Sequence, residues 1–310
     1  MTCYHPITGY RAREPNKSGK YSIVFNPKQG YIDMPKTVPC GQCIGCRLDY
    51  ARQWAIRCMH EASLHEYNCF ITLTYHPDFL PKGGTLVKKH FQDFMKRFRK
   101  KIEVPIKFYQ CGEYGEKYRR PHYHACIFGY DFPDKFRVED SKSGEKQYDS
   151  ETLNSLWGFG RTRIGEVNFD SAGYVARYIT KKIKGKDAEE HYKSVDQETG
   201  EIIDLVPEYT TMSRGGRSGK GLAADWYDRY SSDVYPSDSV VVKGKEVRPP
   251  RYYDGLYELD CPEDFERLKI RRKKQAEIYS DNNTFERLMV REKVKLQKIK
   301  SLKRGLENDI

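Results

Sequence analysis

PHYHACIFG, running from Pro121 to Gly129, is short, apolar and aromatic, and it reads as a β-strand. Alternate residues of a strand share a face. His122, His124, Cys126 and Phe128 therefore point one way, and Tyr123, Ala125 and Ile127 the other. The preceding IKFYQCGE (Ile106–Glu113) alternates as well, and the turn-rich YGEKYRR between them makes the pair a hairpin. Two imidazoles on one face can hold a divalent ion, with a third ligand from the neighbouring strand, which Glu113 ends. An imidazole and carboxylate set suits Mg²⁺ or Mn²⁺ with positions left open for water and phosphate oxygens. An isolated H-x-H is equally compatible with ordinary core or surface histidines.

Working outward, Ile44 to about Tyr67 carries Leu48, Ala51, Ala55, Cys58, Met59 and Ala62 at helical steps. FITLTY (Phe70–Tyr75) is a strand. VKKHFQDFMKRFRKKI is an amphipathic helix with Phe91, Phe94, Met95, Phe98 and Ile102 on its apolar face. Residues 130–160 are polar, with an exposed loop at DSKSGEKQYDS. GRTRIGEVNF is a further strand, and DSAGYVARYITKKI a helix capped by Asp170 or Ser171. The order β-α-β-β-β-α predicts an α+β fold, an antiparallel sheet of about five strands with helices on one face. Four regions follow: a Cys-rich segment and helix over 1–67, the core over 68–185, a loop-rich accessory region over 186–262 and a basic helical tail over 263–310. In the tail, two helical patterns break at SDNNT (Ser280–Thr284). GGRSGKG (Gly215–Gly221) resembles a phosphate loop, but it is one residue short and has Gly where Ser or Thr should meet magnesium, so no nucleotide-hydrolysing site is assigned.

The helix over 170–183 poses a second question. In YVARYITKK, Tyr174 and Tyr178 stand one turn apart, beside a core stripe of Ala172, Val175, Ile179 and Ile183 rather than on it. A phenolate can attack a metal-polarised phosphodiester in line and store the bond energy as a 5′-phosphotyrosine. Arg177 and Lys181 follow the tyrosines by one turn and could favour the phenolate or neutralise charge. Arg177 and Lys182 equally suit phosphate contacts.

Composition supports an anionic partner. The 310 residues carry a formal charge of +11, with 24 tyrosines among the cations. Aromatic rings interleaved with Lys and Arg suit stacking on unpaired bases. No apolar run reaches the roughly 20 residues of a membrane span, and MTCYHPITGYRAREP has no signal-peptide core. Nine cysteines, an odd number, point to a reducing compartment rather than a disulfide framework. Cys40, Cys43 and Cys46 form two C-x-x-C steps, and Cys3 or His5 offers a fourth ligand, as a structural Zn²⁺ site requires. Buried free thiols are the alternative. Cys58, Cys69, Cys111, Cys126 and Cys261 lie in apolar patterns and are assigned to the core.

FITLTY, then RPHYH, then YVARYITKK resemble, in that order, the three motifs of the HUH endonucleases that initiate rolling-circle replication, in the two-tyrosine subgroup. CYHP, PCGQCIGCR and TMSRGGRSGKG resemble the replication initiators of Microviridae of gokushovirus type, and the likeness covers most of residues 1–230. It implies a five-stranded HUH/RRM-like sheet, His122, His124 and Glu113 as ligands of Mg²⁺ or Mn²⁺ (Glu116 a fallback), Tyr174 and Tyr178 as nucleophiles, and Lys181 as the basic residue of Y-x-x-K. Arg177 occupies the corresponding place after Tyr174, where a guanidinium gives up a proton poorly. The implied activity is nicking of the origin strand, a covalent 5′ link and rejoining to release circular single strands. Its partners are single-stranded phage origin DNA and a host helicase, and its place the host bacterial cytoplasm. A non-catalytic single-stranded DNA or RNA-binding module, and a relaxase or transposase of the same chemistry, are the competing readings.

Overall fold

The computed structural model describes residues 3–16, 19, 21–115, 118–138, 140, 144–178, 182–183, 187–196, 199–214 and 220–301. Among them the chain runs β1 (Ile7–Ala12), β2 (Ile23–Val24), β3 (Gly30–Val38), α1 (Ile44–Ala62), β4 (Asn68–Thr74), α2 (Lys88–Ile102), β5 (Lys107–Tyr114) and β6 (Pro121–Phe128). It continues through β7 (Phe136–Arg137), β8 (Tyr148–Asp149), α3 (Glu151–Trp157), β9 (Thr162–Gly165), α4 (Phe169–Tyr178), α5 (Asp187–His191), β10 (Lys193–Val195), β11 (Ile202–Asp204) and β12 (Tyr209–Met212). The last elements are α6 (Ala224–Ser237), β13 (Val240–Val242), β14 (Lys245–Val247), α7 (Arg251–Asp260), α8 (Pro262–Ile278) and α9 (Phe285–Lys300). The fold is α+β. The two helices expected after Pro262 are α8 and α9, joined by a 3-10 turn over Ser280–Asn283.

Two compact units share the chain. One comprises residues 1–50 and 266–302, the other 51–265 with 303–310. The second unit is built on a seven-stranded sheet of order β12-β5-β6-β4-β9-β8-β7, with every pair antiparallel. The expected hairpin is β5–β6, registered so that Glu113 faces His122 and Cys111 faces His124. Two strands beyond the expected five, β7 and β8, are only two residues long.

Every residue of β6 is buried. A strand can be buried throughout only if both its faces are covered. On one face, Ile71 and Leu73 of β4 and Tyr123, Ala125 and Ile127 of β6 meet Phe91, Phe94, Met95 and Phe98 of α2, with Leu153 and Trp157 of α3. On the other, Phe70, Tyr109, Cys111, Cys126 and Phe128 meet α1 and α4. Helices thus cover both faces, where the sequence reading expected one. The reason lies in α1. Ala51, Ala55, Cys58 and Ala62 repeat at steps of three and four, and such small side chains let the helix lie close to the sheet. Trp54 of α1 stacks on Tyr109, with ring centroids 4.7 Å apart and planes 8° from parallel.

A buried carboxylate ties α1 to its surroundings. Glu61 accepts from the Ala223 amide at 2.6 Å and from Lys107 Nζ at 3.2 Å through Oε2, and its Oε1 lies 2.9 Å from His65 Nε2. Several elements fall where the sequence reading expected loops. They are α3 within 130–160, and α6 and α7 within the accessory region. Of the thiols assigned to the core, Cys58, Cys69, Cys111 and Cys126 are buried, whereas Cys261 is half-buried. No helix among the described residues is long and apolar enough to cross a membrane.

Candidate active site

The chemistry-bearing side chains gather on the α1/α4 face of the sheet. Register does most of the work. Glu113 and Thr74 flank His122 on its two neighbouring strands, and Cys111 and Thr72 flank His124. Because the period of a strand is two, His122 and His124 share a face, with parallel rings 6.3 Å apart between centroids.

All three polar side chains are buried. His122 is 0% exposed, His124 2% and Glu113 1%. Each has a defined hydrogen-bonding role. His124 Nε2 lies 2.7 Å from Glu113 Oε1, and its Nδ1 lies 3.0 Å from Thr72 Oγ1. His122 donates from Nδ1 to the Arg120 carbonyl at 2.5 Å, which leaves the lone pair on Nε2. That Nε2 is buried without a hydrogen-bond partner among the described residues. Burial, followed by the neighbouring His124, pushes the His122 imidazole down to about 3, against the pull of the Arg120 carbonyl. His122 is therefore neutral at physiological pH, the form that binds metals.

Tyr174 comes to this set from α4. Asn168 caps the helix, its Oδ1 accepting from the Asp170 and Ser171 amides at 2.9 and 2.8 Å, while Ser171 Oγ accepts from the Asn168 amide at 2.9 Å. The cap is thus Asn168 rather than Asp170 or Ser171, and Ser171 returns the bond in the manner of a capping box. The helix consequently starts at Phe169. Tyr174 is 3% exposed, as buried as the stripe residues Ala172 and Val175, so it does not stand aside from the packed face as expected. Ala172 and Ala176 bring α4 close enough for this burial. The Tyr174 hydroxyl donates to Glu113 Oε1 at 3.3 Å. Its ring meets His124 edge-on at 5.1 Å and Phe70 edge-on at 6.4 Å, which fixes the phenol's orientation.

The other expected site residues are placed as follows. Tyr178 is the last residue of α4, and its side chain lies outside the described residues. Lys181 and the fallback ligand Glu116 also lie outside them. Arg177 is exposed on the last turn of α4, and Lys182 is half-buried beyond it. His122, His124 and Tyr174 line a cavity of about 400 Å³ whose walls include Arg120, Arg161 and Arg163. The sequence reading missed these arginines and Thr72. Arg163 sits opposite Thr72 only because β9 pairs with β4, a register that neither strand announces by itself.

The donor set at His122, His124 and Glu113 fits a divalent cation in chemistry. It offers a buried neutral imidazole with a lone pair to give, a second imidazole and a carboxylate, the two histidines each oriented by an oxygen on Nδ1. Elsewhere, Cys3, Cys40, Cys43 and Cys46 bring their sulfurs within 4.8 Å of one another. His5, the alternative fourth ligand, turns instead to Glu292, 2.6 Å away.

The model of the family described as replication-associated protein ORF2 matches residues 68–183, from β4 past α4. Three curated proteins are similar over most of the chain. Replication-associated protein ORF2 of Spiroplasma virus 4 is 32% identical over 297 residues, covering 89% of this chain and 87% of that protein. Replication-associated protein VP4 of Bdellovibrio phage phiMH2K is 32% identical over 301 residues, covering 90% and 86%. Replication-associated protein ORF4 of Chlamydia phage 1 is 28% identical over 269 residues, covering 83% and 63%. No solved structure matches the chain. With a third of its residues shared along nearly the whole length of two such proteins, and with the family's matched segment ending just past the helix that carries Tyr174, the chain belongs to the replication-associated proteins of this phage family.

Proposed function

We propose that the protein initiates rolling-circle replication of a single-stranded DNA phage by nicking one DNA strand with tyrosine and later rejoining it. The observation that supports this most directly is the buried contact between the Tyr174 hydroxyl and Glu113, which is itself bonded to His124 beside His122. A nucleophile buried against a ligand-like set, in a cavity walled by arginines, is not explained by packing alone. His122, His124 and Glu113 would hold Mg²⁺ or Mn²⁺. A divalent cation there makes phosphorus more electrophilic and offsets the charge that develops on its oxygens.

The chain's own residues then divide the work. Arg120, Arg161 and Arg163 hold the strand's phosphates, a task for which the guanidinium fork is suited. Phe70 and His124 keep the phenol in its orientation. The Tyr174 oxygen attacks phosphorus, the bond from phosphorus to the 3′ oxygen breaks, and that oxygen leaves as a 3′-hydroxyl after taking up a proton. The 5′-phosphate stays on the tyrosine. Attack by a 3′-hydroxyl on that ester reverses the step and closes a circle. Tyr178, one turn on, serves for the second cut while the first 5′ end is still held, with Lys181 as the basic residue beside it. Arg177 and Lys182 contact the strand beyond. The protein acts inside the bacterial host, where a host helicase opens the duplex.

The test uses the full chain with labelled single strands tiled across the phage genome, in Mn²⁺. A denaturant-resistant adduct is expected, and EDTA removes it. Changing both Tyr174→Phe and Tyr178→Phe abolishes it. An adduct that survives the double change overturns the assignment. Tight binding with no adduct under any divalent cation makes the protein a single-strand-binding module instead.

A further inference from the structure

We propose that Cys3, Cys40, Cys43 and Cys46 bind a single zinc ion tetrahedrally, and that this ion holds together the unit formed by residues 1–50 and 266–302. The first argument is distance. Zn–S bonds of about 2.3 Å in a tetrahedron put sulfurs about 3.8 Å apart. Cys3 Sγ lies 3.7 Å from Cys40 Sγ and 3.9 Å from Cys43 Sγ. These separations are too long for a disulfide, whose sulfurs are about 2.05 Å apart. They are also too short for an iron–sulfur cluster, which needs room for several irons between its ligands.

The second argument is the orientation of the backbone around the sulfurs. The Tyr4 amide donates to Cys43 Sγ at 3.3 Å, and the Cys40 amide to Cys3 Sγ at 3.3 Å. The Gln42 and Cys43 amides donate to Cys40 Sγ at 3.4 and 3.3 Å. Amide donors of this kind stabilise thiolate over thiol, and thiolate is the form that ligates metal. Two backbone turns therefore present their N–H groups to sulfur as metal-binding loops do.

The third argument is need. In this unit the nine-residue strand β3 is exposed from Tyr31 to Thr37. Tyr31, Ile32 and Met34 of β3 and Phe285, Val290 and Val294 of α9 all face solvent. The buried apolar side chains come down to Ala12, Leu268, Leu288 and two of the cysteines themselves. A unit so poor in core requires another fastening, and a structural metal is the usual one. The four ligands join the segment before β1 to the first turn of α1, and His5 beside Cys3 pairs with Glu292 of α9. One ion thus fastens both sequence segments of the unit.

The full chain, purified in the absence of added metal, is expected to carry one zinc per molecule by elemental analysis. Replacement by Co²⁺ should give the intense visible bands of a tetrahedral thiolate site. Cys3→Ser with Cys43→Ser should lose the zinc. Cys3→His, which preserves a ligand at that position, should keep it, so loss through misfolding alone is distinguishable. His122→Ala with His124→Ala should also keep it, which separates this site from the candidate active site and from the function proposed for it. Iron in place of zinc, zinc retained in the double serine variant, or native protein whose four thiols all react freely with a disulfide reagent would each overturn the proposal.

Discussion

The two faces of the seven-stranded sheet are made by the same strands and do different things. Toward α2 and α3 the sheet presents Ile71, Leu73, Tyr123, Ala125 and Ile127, and the space is filled by phenylalanines and a tryptophan. Toward α1 and α4 it presents Phe70, Cys126 and Phe128 at one end and His122, His124 and Glu113 at the other. The difference teaches that the apolar face carries the stability that allows the second face to bury polar groups. Burying an imidazole or a carboxylate costs free energy unless it is bonded, and His124 and Glu113 meet that cost by bonding each other. The most informative substitutions are those that damage one face and leave the other intact.

The largest effect is expected from Tyr174→Phe. The ring and its edge-on packing on His124 and Phe70 remain, and only the hydroxyl is lost. The rate of first adduct formation should fall by on the order of 10³ or more, as expected for a lost nucleophile. The melting temperature should barely move. A variant that still forms the first adduct at the native rate would transfer the first cut to Tyr178.

Phe98→Ala makes the converse change. Phe98 is fully buried on α2, packed against Phe94, Tyr130 and Phe132. Its truncation should cost about 3–5 kcal/mol of stability, read as a lower midpoint in urea. At a temperature where the variant is still folded, adduct formation should be near native. Loss of activity in folded protein would show that the two faces are more tightly coupled than their separate clusters suggest.

The alternation of faces along β6, the amphipathic α2 and the ligand trio were all legible in the sequence, because each depends on a period of two or 3.6 residues within one segment. Tyr174 was singled out by its spacing from Tyr178, yet its burial was misjudged, since nothing in DSAGYVARYITKK says how closely α4 approaches the sheet. The cap at Asn168 was missed because VNF reads as the end of a strand, whereas the structure ends β9 at Gly165 and leaves Asn168 free to cap. The covering of the second sheet face was missed for a related reason. The small-residue repeat of α1 was visible, but which face it covers depends on chain path. Thr72 and the cavity arginines depend on strand pairing across about ninety residues, which local pattern does not encode.

A third prediction concerns the outer side of α1. His60 stacks on Trp226 with centroids 3.5 Å apart, and its Nδ1 lies 2.8 Å from the Tyr253 hydroxyl. Burial pushes the imidazole down to about 4, against about 6.5 in the unfolded chain. Between those values the unfolded state binds more protons, so stability falls as the pH drops. The contribution is whole above pH 6.5 and loses roughly 3 kcal/mol by pH 4. In a pH series of urea midpoints, His60→Phe should flatten this part of the slope. An unchanged slope would assign the pH dependence to other groups.

The smallest effect comes from comparing two arginines. Arg97 of α2 donates to the Leu156 carbonyl at 3.0 Å from Nε and at 2.8 Å from Nη2, and so satisfies the C-terminal end of α3 behind the apolar face. Arg161 is exposed on the cavity wall, and its backbone carbonyl accepts from the Thr74 amide at 2.9 Å. That backbone bond survives a change of side chain. Arg161→Gln should therefore leave the melting temperature unchanged while weakening single-strand binding about tenfold at low salt. It should also lower the slope of log affinity against log salt by about 0.7, the value of one phosphate contact on a single strand. Arg97→Gln should do the reverse, lowering stability by about 1–2 kcal/mol through unsatisfied carbonyls and leaving the salt slope alone. Anisotropy titrations at three salt concentrations, with thermal melts of the same samples, measure both. If both variants changed binding and stability together, the division of labour between the two faces would fail.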